Sequence, residues 1–190
     1  WQDTRHGYDN VYAAFSTDAG VTWSAEVRVG DNAAGTVVEM LPEIAVHRDP
    51  VTDLVTVYVV WQELAAGTGL EDGRIMLARF DDAMVRVDVA DVRVDDVDGA
   101  GKWHPVVVPI GRRGNPLVVW VDERDAGPRI SVLEHLYAAK GRGRRGHAGR
   151  PVLEFSKARA IVRQKDLDPL AAQLANEWAP AIAYGDRNVV

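Results

Sequence analysis

The chain contains no cysteine, so disulfides and cysteine-ligated zinc are both excluded. It has no apolar run long enough to span a bilayer, and no signal-peptide pattern opens it. It has no surplus of positive charge. Lys and Arg total 22 against 28 Asp and Glu, a formal net charge of −6, which argues against a general binder of nucleic-acid phosphates. His6, His47, His104, His135 and His147 show no H-E-x-x-H or other metal spacing, and no cofactor is expected. Aromatic residues are sparse at 7%, yet six of them are tryptophan, so the tryptophan positions carry information. Hydrophobic content of 47% and charged content of 26% are those of an ordinary globular domain.

What the chain does have is internal repetition. Trp1-Gln2-Asp3-Thr4-Arg5 returns as Trp61-Gln62-Glu63 and as Trp120-Val121-Asp122-Glu123-Arg124. A β-rich run follows each tryptophan, at Val11–Phe15, Ile75–Phe80 and Ile130–Leu133. A Val-Arg element comes next, at Val27-Arg28-Val29, Val92-Arg93-Val94 and Ile161-Val162-Arg163. A proline then opens another apolar run, at Pro42–Val46, Pro105–Val108 and Pro180–Ala183. Further strand-like runs, Val55–Trp61 and Leu117–Trp120, lead into the next tryptophan. Each unit thus predicts four short strands with turn residues between them, an all-β layout of four-stranded antiparallel sheets.

The turn between the third and fourth strands of the first unit is Ser16-Thr17-Asp18-Ala19-Gly20-Val21-Thr22-Trp23, of the form S-x-D-x-G-x-T-W. Asp18 and Ser16 are placed to accept turn amides that the ladder leaves unpaired. Gly20 suits a positive φ. Trp23 is expected to fold back over the hairpin and be largely buried. The residues Ser16, Asp18, Gly20, Thr22 and Trp23 resemble the Asp-box, the repeat of bacterial neuraminidases and of many non-enzymatic β-propellers. Aligning Phe15 with Phe80 places Ala83, Val85 and Asp88 where Asp18, Gly20 and Trp23 stand, so the second unit lacks the box.

The resemblance implies a β-propeller-like array of the sialidase type, incomplete in this chain. Residues 1–41 read as the end of one blade, 42–104 as a second, 105–179 as a third with an inserted loop and a short helix, and 180–190 as the start of another. The chain begins at Trp1 without an initiator methionine and is read as a section of a longer protein, with the rest of the propeller lying elsewhere. A half-propeller completed by dimerisation is the alternative. Two segments fall outside the repeat. Gly141-Arg142-Gly143-Arg144-Arg145-Gly146 matches G-x-G-x-x-G, but without the strand–helix context of a dinucleotide site it reads as a mobile basic loop. Asp168–Glu177 reads as a short helix, with Asp168 as N-cap and Pro169 at the first helical position.

The resemblance also implies chemistry. Sialidases grip the substrate carboxylate with arginines from different blades, and use a tyrosine nucleophile and an aspartate acid/base. Arg5 and Arg124, with Asp3 and Asp122, stand at positions that would face such a site, and Tyr184 is the least repeat-like tyrosine. The opposing reading of these residues is structural. A pair repeated in two units, Asp3/Arg5 and Asp122/Arg124, has the character of a brace, and Tyr184 that of a packing residue. Asp95, Asp96 and Asp98 cluster as calcium ligands would, or form a solvated acidic loop. Two functions remain open: part of an exo-acting glycoside hydrolase acting on sialylated or related glycans, and a non-catalytic propeller binding a glycan or a protein. The resemblance alone suggests an extracellular or cell-surface location.

Overall fold

The computed structural model describes residues 1–33, 35–69, 72–124, 135–145 and 151–161. The chain is all-β. Among the described residues there is no α-helix, and every strand pairing is antiparallel. The strands, in chain order, are β1 (Gln2–Asp3), β2 (Asn10–Ala13), β3 (Val27–Arg28), β4 (Val37–Arg48), β5 (Val55–Ala65), β6 (Arg74–Phe80) and β7 (Val92–Arg93). They continue as β8 (Lys102–Ile110), β9 (Asn115–Asp122), β10 (His135–Arg145), β11 (Pro151–Phe155) and β12 (Arg159–Ala160). They form three sheets, β1-β2-β3, β4-β5-β6-β7 and β8-β9-β10 with β11 and β12 beyond β10.

The sheets stack face to face, and the period of two along β5 shows why. Val57, Val59 and Trp61 point to one face, where they pack with Val11, Ala13 and Val29 of the first sheet. Tyr58 and Val60 point to the other, against Val118, Trp120, Tyr137 and Ala139 of the third. A strand covered on both faces must be apolar throughout, which accounts for the unbroken Val-Tyr-Val-Val-Trp run. β4 and β8, the proline-led strands, lie alongside one another at one edge. Both begin ahead of their prolines, so the unit boundaries at 41/42 and 104/105 fall inside strands.

The loop expected around Gly141–Gly146 is corrected by the structure. Gly141 to Arg145 belong to β10 and pair with Phe155 to Pro151 of β11. The third unit has lengthened its third strand into a hairpin, whose backbone needs are met by the ladder rather than by solvent. The Val-Arg element of that unit is also shifted. Ala160 and Arg159 occupy the register positions of Arg28 and Val27, and Val162 and Arg163 lie outside the described residues. The expected strand at Ile130–Leu133, the helix at Asp168–Glu177 and the Pro180 run lie outside the described residues.

A buried carboxylate sits at each seam between sheets, and its source alternates. At the first seam it is Glu39 of β4, which accepts the Val11 N–H at 3.0 Å and pairs with Arg28 at 3.2 Å. At the second it is Asp95, just past β7, which accepts the Ile75 N–H at 2.8 Å and pairs with Arg93 at 2.6 Å. Val11 and Ile75, like Arg28 and Arg93, hold matching register positions in their sheets. The position of Asp95 is taken in the first unit by Gly30, where a Cβ would fall 1.9 Å from a Glu39 oxygen. The position of Glu39 is taken in the third unit by Lys102, which is fully buried. Its ammonium donates to the carbonyls of Gly73 and Ala100 and stands 3.6 Å from Asp95. Burying either charge alone would be costly.

Gly30→Asp alone puts two carboxylates in one place, and Glu39→Lys alone leaves Arg28 beside a second cation. Each is expected to lower stability by about 2–5 kcal/mol. The double variant recreates the Asp95/Lys102 seam and should recover at least half of the combined loss in a urea-unfolding cycle. Losses that simply add would show that the two positions act independently.

Candidate functional site

Asp3/Arg5 and Asp122/Arg124 adopt the same arrangement in two sheets. The Arg5 N–H donates to Asp3 at 2.9 Å and its guanidinium donates to the same carboxylate at 2.6 Å. In the third sheet the Arg124 N–H donates to Asp122 at 2.8 Å and its guanidinium at 2.7 Å. Each arginine meets a second carboxylate, Glu26 for Arg5 and Asp96 for Arg124. Each also lies over a tyrosine ring, 4.6 Å from the centre of Tyr12 and 4.2 Å from that of Tyr137. Those rings stack in turn on Trp1 and Trp120. The Arg5 guanidinium holds Asp3 down at about 2. The middle sheet has Met76 opposite Trp61, with Glu63 and Ala65 in the Asp and Arg positions, and forms no such brace. These arginines are consumed by neighbours within the fold. Tyr184 lies outside the described residues.

The Ser16–Trp23 turn is held by its own side chains. Asp18 accepts the Thr22 N–H at 2.8 Å and the Thr22 hydroxyl at 2.6 Å, and the Ser16 hydroxyl donates to it at 2.7 Å. Ser16 Oγ accepts the Gly20 N–H at 2.8 Å, and Gly20 has φ +88°. The Thr22 hydroxyl, more than the amides, keeps the Asp18 carboxyl near 2. Trp23 departs from expectation: it is 65% exposed. β2 and β3 pair through only two residue pairs, too short a hairpin to cover an indole, and the ring rests beside Gly20. In the second unit Asp81 takes the Ser16 role, accepting the Ala83 and Val85 N–H groups at 3.0 and 2.8 Å. Met84 there has φ +57°, matching +58° at Ala19. The turn geometry thus survives where its sequence signature is gone.

Asp95, Asp96 and Asp98 do not converge on a common point for a cation. Asp95 is buried against Arg93 and Lys102, Asp96 faces Arg124, and Asp98 pairs with the far side of Arg93 at 2.7 Å. Guanidinium groups already occupy the oxygens that calcium would need. Among the described residues no group of three or more His, Asp or Glu side chains is arranged to hold a metal.

The structure brings together a different set, absent from the sequence expectations. The ladders β4–β5 and β8–β9 each slip register beside the proline, between Met40 and Glu43 and between Trp103 and Val106. At both bulges the residue before the proline has a positive φ, +54° at Leu41 and +49° at His104. A following proline normally drives its predecessor to extended backbone, so both positions store strain of a kind concentrated at functional sites. The two bulges and Gln2 line one cleft of about 280 Å³, with Glu43 and His104 on its wall. Gln2 Oε1 accepts the Leu41 N–H at 3.2 Å. Glu43 and His104 are exposed, and neither makes a hydrogen bond or ion pair among the described residues.

Pro42 and Glu43 also line a second hollow, of about 230 Å³, together with Trp1, Tyr12, Trp23 and Ile44. Trp1 is 50% and Ile44 58% exposed. Glu43 therefore joins a polar cleft to an aromatic one. Among the described residues no Lys or Arg lines either hollow.

The two carboxyls pushed up to about 7 lie at the first seam and not in these hollows. Asp31 and Asp91 each accept the other's backbone N–H, at 2.9 and 2.8 Å. Burial, and then the neighbouring Asp31, push Asp91 up to about 7, although Arg86 pairs with it at 2.6 Å. Burial, and then Glu39, raise Glu63 to about 7 while Asn32 donates to it at 2.8 Å.

No protein-family model, curated protein or solved structure shows a significant match to this chain. No helix among the described residues is long and apolar enough to cross a membrane.

Asp91 and Glu63 hold protons in the folded state that the unfolded chain releases near pH 4. Their contribution to stability is complete below about pH 4 and is lost as pH rises through about 7. Urea-unfolding midpoints should fall between about pH 5 and pH 8, and Asp91→Asn should flatten that slope. An Asp91→Asn profile parallel to that of the parent chain would refute the assignment.

Proposed function

We propose that this chain is a non-catalytic, glycan-binding array of β-blades, of the kind that the Asp-box resemblance suggests. The observation that carries this reading is the commitment of Arg5 and Arg124. An arginine clamp needs guanidinium forks free to meet the substrate carboxylate, and both of these are bound to two carboxylates and a tyrosine ring. Freeing Arg124 would leave Asp122, which is fully buried, with the Trp120 indole N–H but no counter-ion. The exo-glycosidase alternative loses its clamp candidates.

The paired hollows around Glu43 supply the binding surface. Sugar rings present apolar C–H faces and rims of hydroxyls. Half-exposed indoles at Trp1 and Trp23 offer a surface for the first, and Glu43, His104 and the Gln2 amide offer acceptors and donors for the second. Strain at Leu41 and His104 keeps the cleft shaped before a ligand arrives, which lowers the ordering cost of binding.

Two outcomes are expected. The 190-residue chain should release no fluorophore from a fluorogenic sialoside beyond a control carrying Arg5→Ala and Arg124→Ala; turnover clearly above that control would restore the glycosidase reading. Trp23→Ala should weaken binding to immobilised oligosaccharides about tenfold while shifting stability by less than about 1 kcal/mol, because the ring is not in the core. A loss near the 3–5 kcal/mol of a buried tryptophan would instead assign Trp23 to packing.

A further inference from the structure

Among the described residues, Glu43 is the only carboxylate lining either hollow, and no lysine or arginine lines them. From this we infer that the glycan site selects an amine-bearing pyranose, an unacetylated hexosamine, over neutral and carboxylated sugars. This rests on the glycan reading above and narrows it to a ligand class.

The argument is one of charge and shape together. A carboxylated sugar would bring its negative charge beside Glu43 with no arginine among the described residues lining the hollows to offset it, and nearby Arg5 is held by Asp3 and Glu26. The repulsion between like charges at contact distance grows as water is excluded, and the net charge of −6 adds to it. A protonated amine reverses both signs. It gains a counter-ion in Glu43, whose oxygens have no competing donor among the described residues. The same hollow presents the half-exposed indoles of Trp1 and Trp23, and an ammonium over an indole face is attracted by the ring quadrupole. A carboxylate set among aromatic rings is the arrangement that suits an organic cation. The adjoining polar cleft makes a sugar the better fit than a simple amine. Gln2 spends its oxygen on Leu41 and has its amide N–H groups left, while the His104 imidazole stands exposed on the cleft wall. These suit ring hydroxyls, for which a lysine side chain has no counterpart.

The test uses the full 190-residue chain and calorimetric titration with four probes: a glucosamine trimer, an N-acetylglucosamine trimer, a galacturonic acid trimer and a lysine tripeptide. The glucosamine trimer should bind at least about tenfold more tightly than the acetylated trimer, as expected for one close ion pair with a cation–π contact. The galacturonic acid trimer should not bind measurably. Glu43→Gln, at an exposed side chain with no hydrogen-bond or ion-pair partner among the described residues, should erase the preference for the amine, bringing the glucosamine trimer to the affinity that the same variant shows for the acetylated trimer. Equal binding of all three sugars, or tightest binding of the uronate, overturns the inference and leaves the glycan reading standing. A lysine tripeptide as tight as the glucosamine trimer assigns the site to peptide amines and overturns the choice of a sugar. Binding of none of the four removes the glycan reading itself. A preference for the amine that persists in Glu43→Gln removes Glu43 from the site.

Discussion

The stacked sheets depend on one demand, that the amides of Val11 and Ile75 be met by a carboxylate buried at the seam. Val11 and Ile75 are the second residues of β2 and β6, and their N–H groups donate to Glu39 and Asp95. An unpaired buried amide is costly, so an anion must come from somewhere, and the anion then needs a cation. Arg28 and Arg93 answer that need from β3 and β7, the last strand of the first and second sheets. Whether the anion comes from the next sheet, as Glu39 does, or from the same one, as Asp95 does, decides what the facing strand must carry. Gly30 and Lys102 are the consequences. The two seams solve one electrostatic problem with opposite assignments of charge.

The same economy governs the arginines at the tryptophan strands. Arg5 and Arg124 close the ends of the first and third sheets by pairing with an aspartate two residues earlier and covering a tyrosine. So paired, neither arginine is free to meet a ligand. Glu43 and His104 stand out because they are exposed, unpaired and set beside strained backbone, next to indoles that the fold does not bury. The functional reading follows from what the structure has not used.

Much of the fold was legible in the chain. The tryptophan-led and proline-led runs became β5, β9, β4 and β8, because alternating or continuous apolar runs of that length have few other ways to be buried. The Asp18 turn was legible too, since its hydrogen bonds span only four residues. The brace reading of Asp3/Arg5 rested on repetition, and the contacts agree with it. Glu39, Lys102, Glu43 and His104 gave no such signal. Their partners or neighbours lie in other units, and a lone charged residue at the start of a strand looks like surface. Gly141–Arg145 was misread because glycine and arginine suggest a loop, whereas pairing with β11 overrides that preference.

The sequence by itself determined the repeat, the strand class and the local turn, all set by periodicity and by contacts within a few residues. Only the tertiary structure decided which charges are spent at seams, that Trp23 stays exposed, and that Glu43 and His104 share a cleft. Those outcomes depend on how the faces of separate sheets meet. A side chain some sixty residues away in sequence can supply or withhold the one partner that settles whether a group is structural or free.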